Sequence, residues 1–120
     1  MTMEEQSFAI RGQTQADYKE ACAAAQETDT IELVPDPGNK FHDLTRFPGT
    51  TAIKVMANGA QLGFVAAELC GWAAANEMRD LRLHRSARSG MLLVYFKADD
   101  TMPRQASTKK QQKATEAENV

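Results

Sequence analysis

The sequence predicts a small, mainly β protein with two short helices, an α+β chain whose strands form a compact barrel-like sheet in the order βαβββαββ. Three observations carry this. Apolar and polar side chains alternate with period two in several short runs. Asn58-Gly59 stands between two such runs, a strong hairpin signal because both turn positions require positive φ. Only two segments place apolar residues at helical spacing, which excludes the regular βαβ alternation of a doubly wound parallel sheet.

Taken in order, Ser7-Phe8-Ala9-Ile10-Arg11 alternates and suits a half-buried first strand ending at Gly12. Thr14 then fits an N-cap with Asp17 at the third helical position. Tyr18, Ala21, Cys22 and Ala25 follow at i, i+3, i+4 and i+7 and form one buried stripe. Ile31-Glu32-Leu33-Val34 reads as a second strand, stopped by Pro35-Asp36-Pro37-Gly38, where the prolines lack amide donors and the glycine frees the turn. A long loop runs to about Thr50, with Pro48-Gly49 at a further turn. Residues 51–56 and 61–65 form the hairpin. Residues 66–76 form the second helix, with Val65, Leu69 and Trp72 on its buried side. Leu81 and Leu83 alternate with Arg82 and His84, and the apolar run 91–96 pairs with them as a terminal hairpin around residues 86–90.

The chain has 120 residues, room for one core and a tail. Its 42% hydrophobic and 25% charged residues are ordinary for a soluble domain, and no apolar run approaches the ~20 residues of a membrane span. With 14 basic and 16 acidic side chains the net charge is −2, which excludes a basic field over the whole surface and confines any nucleic-acid binding to a local patch. The start, Met1 to Gln6, lacks the basic and apolar regions of a secretory signal, so a cytoplasmic location is expected.

The barrel is assigned to residues 1–97. Residues 98–120 hold no aromatic and only Met102 and Val120 as larger apolar side chains, so a flexible polar tail is expected there. Residues 1–100 carry 10 basic against 14 acidic side chains, and residues 101–120 carry 4 against 2. The tail is expected to be solvated, with contact to the acidic body or to an anionic partner as the alternatives.

Catalytic patterns are incomplete. His42 beside Asp43 has no nucleophile in a recognisable arrangement, and Pro35-Asp36 begins like a nuclease signature that no Asp/Glu-x-Lys completes. No Walker lysine loop or dinucleotide fingerprint occurs. Cys22 and Cys70 lack Cys-x-x-Cys spacing and, with His42 and His84, match no common zinc finger; both are expected to be reduced and buried. Neither metal nor cofactor is expected. The basic patch of the body is Arg79, Arg82, Arg85 and Arg88 with His84, against Asp80. On a strand, Arg82 and His84 share a face and can track a phosphate backbone, or the same charges protect a sheet edge. Phe41 and Phe47, in a loop rich in Gly, Pro and Asn, either stack on bases or plug the end of the sheet.

The stretch from Ile31-Glu32-Leu33-Val34-Pro35-Asp36-Pro37-Gly38-Asn39 through Lys40-Phe41-His42-Asp43, then Ala52-Ile53-Lys54-Val55, Asn58-Gly59 and Leu62-Gly63-Phe64-Val65-Ala66-Ala67-Glu68-Leu69, resembles the HIRAN domain. The resemblance spans roughly residues 8–97 and is specific over 31–69. It implies an SH3- or OB-like barrel that holds the 3′ end of single-stranded DNA, with aromatics on bases, a carboxylate on the 3′-hydroxyl and basic or amide groups on phosphates. It assigns Phe41 to the loop aromatic, Asp43 or else His42 to its polar partner, Phe64 to the aromatic after the glycine, and Arg11 to a basic position ending the first strand. The chain departs from the pattern at Lys40 (usually proline), in the inserted residues 44–49, at Thr51 (usually Asn), at Ala66 and Ala67 (lysines in helicase-fused members) and at Gly12-Gln13 (an aromatic).

The expected function is a nucleic-acid-binding module for single-stranded DNA or an exposed 3′ end, without catalysis and without a membrane partner. Its expected contacts are Arg11, Phe41, His42, Asp43, Phe64, Arg79, Arg82, His84, Arg85 and Arg88. The alternative is a protein-interaction module on the same fold, with DNA binding lost and a protein as partner.

Overall fold

The computed structural model describes residues 4–103, whose strands form two three-stranded antiparallel sheets. The elements are β1 (Glu4–Ala9), α1 (Ala16–Ala24), β2 (Ile31–Asp36), β3 (Ala52–Ala57), β4 (Ala60–Phe64), a 3₁₀ turn (Ala67–Leu69) running into α2 (Cys70–Ala75), β5 (Arg79–Arg85) and β6 (Leu92–Ala98). The mainly β character with two short helices is as the sequence predicts. The ladders do not close into a barrel: one sheet has the order β1-β6-β5 and the other β2-β3-β4.

Central β6 shows why the sheets face each other. Leu92, Val94, Phe96 and Ala98 are buried while the residues between them are half-buried, the period-two pattern of a strand with one face on the core. Phe96 meets Phe8 at 6.0 Å and Trp72 at 5.9 Å between ring centroids, and Ile31, Val55, Leu62 and Leu69 complete the core from the other sheet and the 3₁₀ turn. Each fully buried aromatic or aliphatic side chain contributes about 1.5–3 kcal/mol.

The sheets are tied where the Arg11 amide donates to the Phe64 carbonyl at 2.8 Å and the Phe64 amide donates back to Arg11 at 2.9 Å. Such close approach needs Gly63. Its φ is +152°, and a Cβ there would stand 2.4 Å from the Arg11 carbonyl oxygen and 2.8 Å from Ile10 Cγ2. One turn further on, buried Gln13 stands in for a strand residue. Its Nε2 donates to Ile10 O at 2.8 Å and Leu92 O at 3.0 Å, and its Oε1 accepts from the Leu92 amide at 2.8 Å. Three backbone groups at the mouth of the sheet thereby gain a partner, the Leu92 carbonyl in addition to the Ile10 amide that reaches it at 3.3 Å.

The β3–β4 hairpin forms as predicted, with Asn58 and Gly59 at φ 49° and 85°. A bulge then shifts its register between Val55 and Met56, so that Phe64 opposes Lys54; the unbroken register of a two-residue turn would set it against buried Ile53.

Several expected boundaries move. β1 begins at Glu4, since its ladder with β6 extends to Glu4↔Ala98 through residues that carry no apolar signal. Thr14 does not cap α1. Gln15 occupies the N-cap without a side-chain bond, because Gly12 at φ +81° and the Gln15 amide on Gly12 O make a tight turn there. β2 continues through Pro35, which pairs with Ile53; β2 lies at the edge of its sheet, where a missing donor is tolerated. The second helix is divided, 3₁₀ over 67–69 and α over 70–75. Ala98 is buried, and Met102 packs on the core with its amide bonded to Gln6 Oε1. The rest of the expected tail, residues 104–120, lies outside the described residues.

Gly63→Ala is expected to destabilise by roughly 2 kcal/mol or more, because backbone must move to admit the methyl group. Gly59→Ala meets open space and should cost only about 1 kcal/mol for its positive φ. Urea unfolding of the two variants makes the comparison.

Both cysteines are buried, free thiols. Burial pushes Cys22 and Cys70 above the ordinary thiol value of 9.0, opposed at Cys22 by the charge of Arg85 and at Cys70 by a backbone hydrogen bond from Ile53. A thiol whose folded pKa is raised contributes stability that is whole below the unfolded value and is lost as pH rises through the folded one. Unfolding midpoints are therefore expected to fall once pH passes 9.0, and a thiol reagent at about pH 8 should label neither residue until the chain is unfolded.

Candidate functional site

A groove of about 740 Å³ opens where the Arg11–Phe64 junction meets the start of α1 and the loop after β2. Its volume lies in the range of sites that hold small ligands. Of the residues singled out from sequence, Arg11, Phe41, His42 and Phe64 line it. Tyr18, Asp17, Asp36, Lys40, Lys54 and Gln61 line it as well and were not anticipated as site residues.

The bulge accounts for one wall. By setting Phe64 opposite Lys54 it puts an aromatic ring and an ammonium side by side on the groove face of the hairpin. The Phe64 ring stands edge-on to Tyr18, with centroids 6.0 Å apart and planes at 83°. Arg11, held by the sheet junction, pairs with Glu68 at 3.1 Å.

The loop after β2, which also lines the groove, is fixed by its own polar side chains. Asn39 Nδ2 donates to Asp36 Oδ2 at 3.2 Å, and Asn39 Oδ1 accepts from the Phe41 amide at 2.8 Å. Phe41 is thus presented by a braced turn with 89% of its surface exposed, an unusual state for so large an apolar ring. The Thr50 hydroxyl donates to Phe47 O at 2.6 Å, so the 2.7 Å contact between His42 and Thr50 requires the hydrogen to sit on His42 Nε2. Phe47 stacks on His42 at 6.4 Å and carries the Arg46 guanidinium 5.0 Å above its ring, which makes Phe47 part of the loop's scaffold. Asp43 also braces the loop. Its Oδ1 accepts from the Thr45 and Arg46 amides at 3.0 and 3.2 Å, and it does not line the groove.

Arg79, Arg82, His84, Arg85 and Arg88 lie on β5 and the turn after it, in the other sheet, and none of them lines the groove. Arg82 and His84 are exposed while Leu83 between them is buried, as the alternation predicts. Most of these charges are already engaged. Arg82 pairs with Glu5 and lies over the Tyr95 ring, His84 Nδ1 meets Glu27 at 3.1 Å, and Arg79 meets Glu77 at 3.0 Å. The hydrogen bond and charge of Arg79 hold the Glu77 carboxyl below its usual value. Arg85 points its guanidinium at backbone. It donates to Cys22 O at 2.8 Å and Ala25 O at 3.1 Å, closing the C-terminal end of α1, and to Gly90 O at 3.2 Å. Arg88 is exposed.

Among the described residues no three His, Cys, Asp or Glu side chains gather as a metal site, and no helix is long and apolar enough to cross a membrane. Compared with known protein families, with curated proteins and with solved structures, the chain matches none.

Arg85→Met removes the donors to three carbonyls and is expected to destabilise by about 1–3 kcal/mol. Arg88→Met, at an exposed turn, should shift the melting temperature little. Thermal melts of the two variants separate an arginine that holds the fold from one that does not.

Proposed function

We propose that the chain is a nucleic-acid-binding module of the HIRAN kind, which takes single-stranded DNA at an exposed end and performs no catalysis of its own. The observation that carries this reading is one groove whose lining brings together an exposed aromatic, Phe41, the edge-on pair Tyr18 and Phe64, the lysines Lys40 and Lys54, and the carboxylate of Asp36. A base stacked on Phe41 gains about 1–3 kcal/mol and needs no particular sequence. Lys40 and Lys54 serve the adjoining phosphate, and Asp36 accepts from a sugar hydroxyl, the part that the resemblance gives to Asp43 or His42. In this reading the two sheets are the halves of an SH3- or OB-like barrel whose ladder is left open.

Fluorescence anisotropy of a short single strand with a free 3′-hydroxyl, set beside its 3′-phosphate, duplex and RNA counterparts, tests the reading. Phe41→Ala is expected to weaken binding about tenfold through loss of stacking, with no loss of stability because the ring is exposed. Asp36→Asn is expected to erase the preference for a free hydroxyl over a terminal phosphate. Absence of binding even at low salt would overturn the reading and leave the protein-interaction module in its place.

A further inference from the structure

Arg11 serves the molecule twice, and its two roles are separable. Its backbone makes the bridge to Phe64 with N–H and C=O groups that any residue but proline would supply. Its side chain is not needed for that bridge. The guanidinium belongs to the lining of the groove and is met by a carboxylate from another element, Glu68 of the 3₁₀ turn, with Nη2 donating to Oε2 at 3.1 Å. The Arg11 side chain is 44% exposed and that of Glu68 21%, so the pair lies at the solvent edge and not in the core. An ion pair so exposed contributes little to folding. Its larger effect is on what an arriving anion meets. The lining holds three cations, Arg11, Lys40 and Lys54, and the two lysines carry no ion pair among the described residues. A phosphate brought to Arg11 would have to share or displace a charge-assisted hydrogen bond, and would meet the like charge of Glu68 as it did so.

Resting on the strand-binding reading above, we infer that Glu68 is a positioning residue that holds the Arg11 guanidinium back from an anionic ligand. The carboxylate is a built-in competitor for donors that a phosphate would use. Arg11, which the sequence suggests as a contact, then contributes to binding only where Glu68 is removed or displaced. Binding is accordingly weaker and less dependent on salt than three cations in one lining would make it, and a bound strand is released more readily.

Fluorescence anisotropy of a labelled dT decanucleotide over a series of salt concentrations tests this with the full chain, Glu68→Gln, Arg11→Met and the double variant. Glu68→Gln is expected to bind about fivefold tighter than the parent, and Arg11→Met in that background to remove the gain, a coupling of the size found between charged neighbours. The salt slope of Glu68→Gln should steepen by about 0.7, the value of one added phosphate contact on a single strand, and should return to the parent's in the double variant. A purely structural role for Glu68 would leave the slope where it is. Glu20→Gln removes an exposed carboxylate of α1 outside the lining and measures the effect of bulk charge; it should tighten binding less than Glu68→Gln does. Thermal melts check that each variant is folded, as expected for an exposed pair. Equal tightening by Glu68→Gln with and without Arg11 would overturn the inference, since Glu68 would then act by its charge alone, and so would an unchanged affinity. Either result leaves the strand-binding reading intact. Absence of binding by the parent and by Glu68→Gln alike would overturn both.

Discussion

The pair of backbone hydrogen bonds between Arg11 and Phe64 is the constraint on which the rest of the molecule depends. It is a backbone bridge between two sheets that also pack side chains together in the core, and it forms where a glycine lets the strands touch. The consequence reaches both the core and the surface. Inward, the contact sets Ile10 and Gly63 against each other, beside a core that holds Phe8 of one sheet and Leu62 of the other. Outward, it carries Arg11 and Phe64 into the lining of the groove, so the same two residues that tie the sheets also shape that surface. A site built on a sheet junction is stiffer than one built on loops alone, and here the loop wall is stiffened separately by Asn39, Asp43 and Thr50.

Much of the fold was legible because the signals were local. Alternation marked β5, an apolar run marked β6, the Asn-Gly pair marked the hairpin, and apolar residues at helical spacing marked the helices. Where the reading missed, the deciding cause was tertiary. Pro35 stops a strand only if its nitrogen is needed by a neighbour, and β2 is an edge. Glu4-Glu5-Gln6 carries no apolar pattern, yet β6 is long enough to pair with it. Closure into a barrel depends on long-range ladders that no local pattern encodes, and the two sheets remain separate.

The lining of the candidate site was legible in part. Phe41, Phe64, Arg11 and His42 were visible as unusual residues in a turn-rich or junction context, and all four line the groove. Lys54 was hidden because its position beside Phe64 follows from a bulge, and an unbroken hairpin would have set Phe64 against a buried residue. Tyr18 was read as part of a core stripe; it is half-buried because that stripe ends at the groove wall, against Phe64. The arginines of β5 formed the most conspicuous charge pattern, and the structure commits most of them internally. Their acidic partners, Glu5, Glu27 and Glu77, lie outside the segment in which the pattern was read. Exposed pairs of this kind contribute about 0–1 kcal/mol each, and on an outer strand with a bulge near Arg79 they also discourage pairing with another chain.

The side chain of Gln13 has a consequence for which substitutions this chain can accept. One amide head donates twice and accepts once at a single reach from the backbone. Glutamate would bring no donor and a buried charge, asparagine would fall a methylene short, and methionine would fill the space with no polar atom able to serve all three groups. A position in a turn before a helix, of a kind that ordinarily varies freely, therefore behaves like a lock with one key. Natural sequences sharing this architecture should hold glutamine there, or else rebuild the mouth of the sheet around Leu92 with a further strand residue.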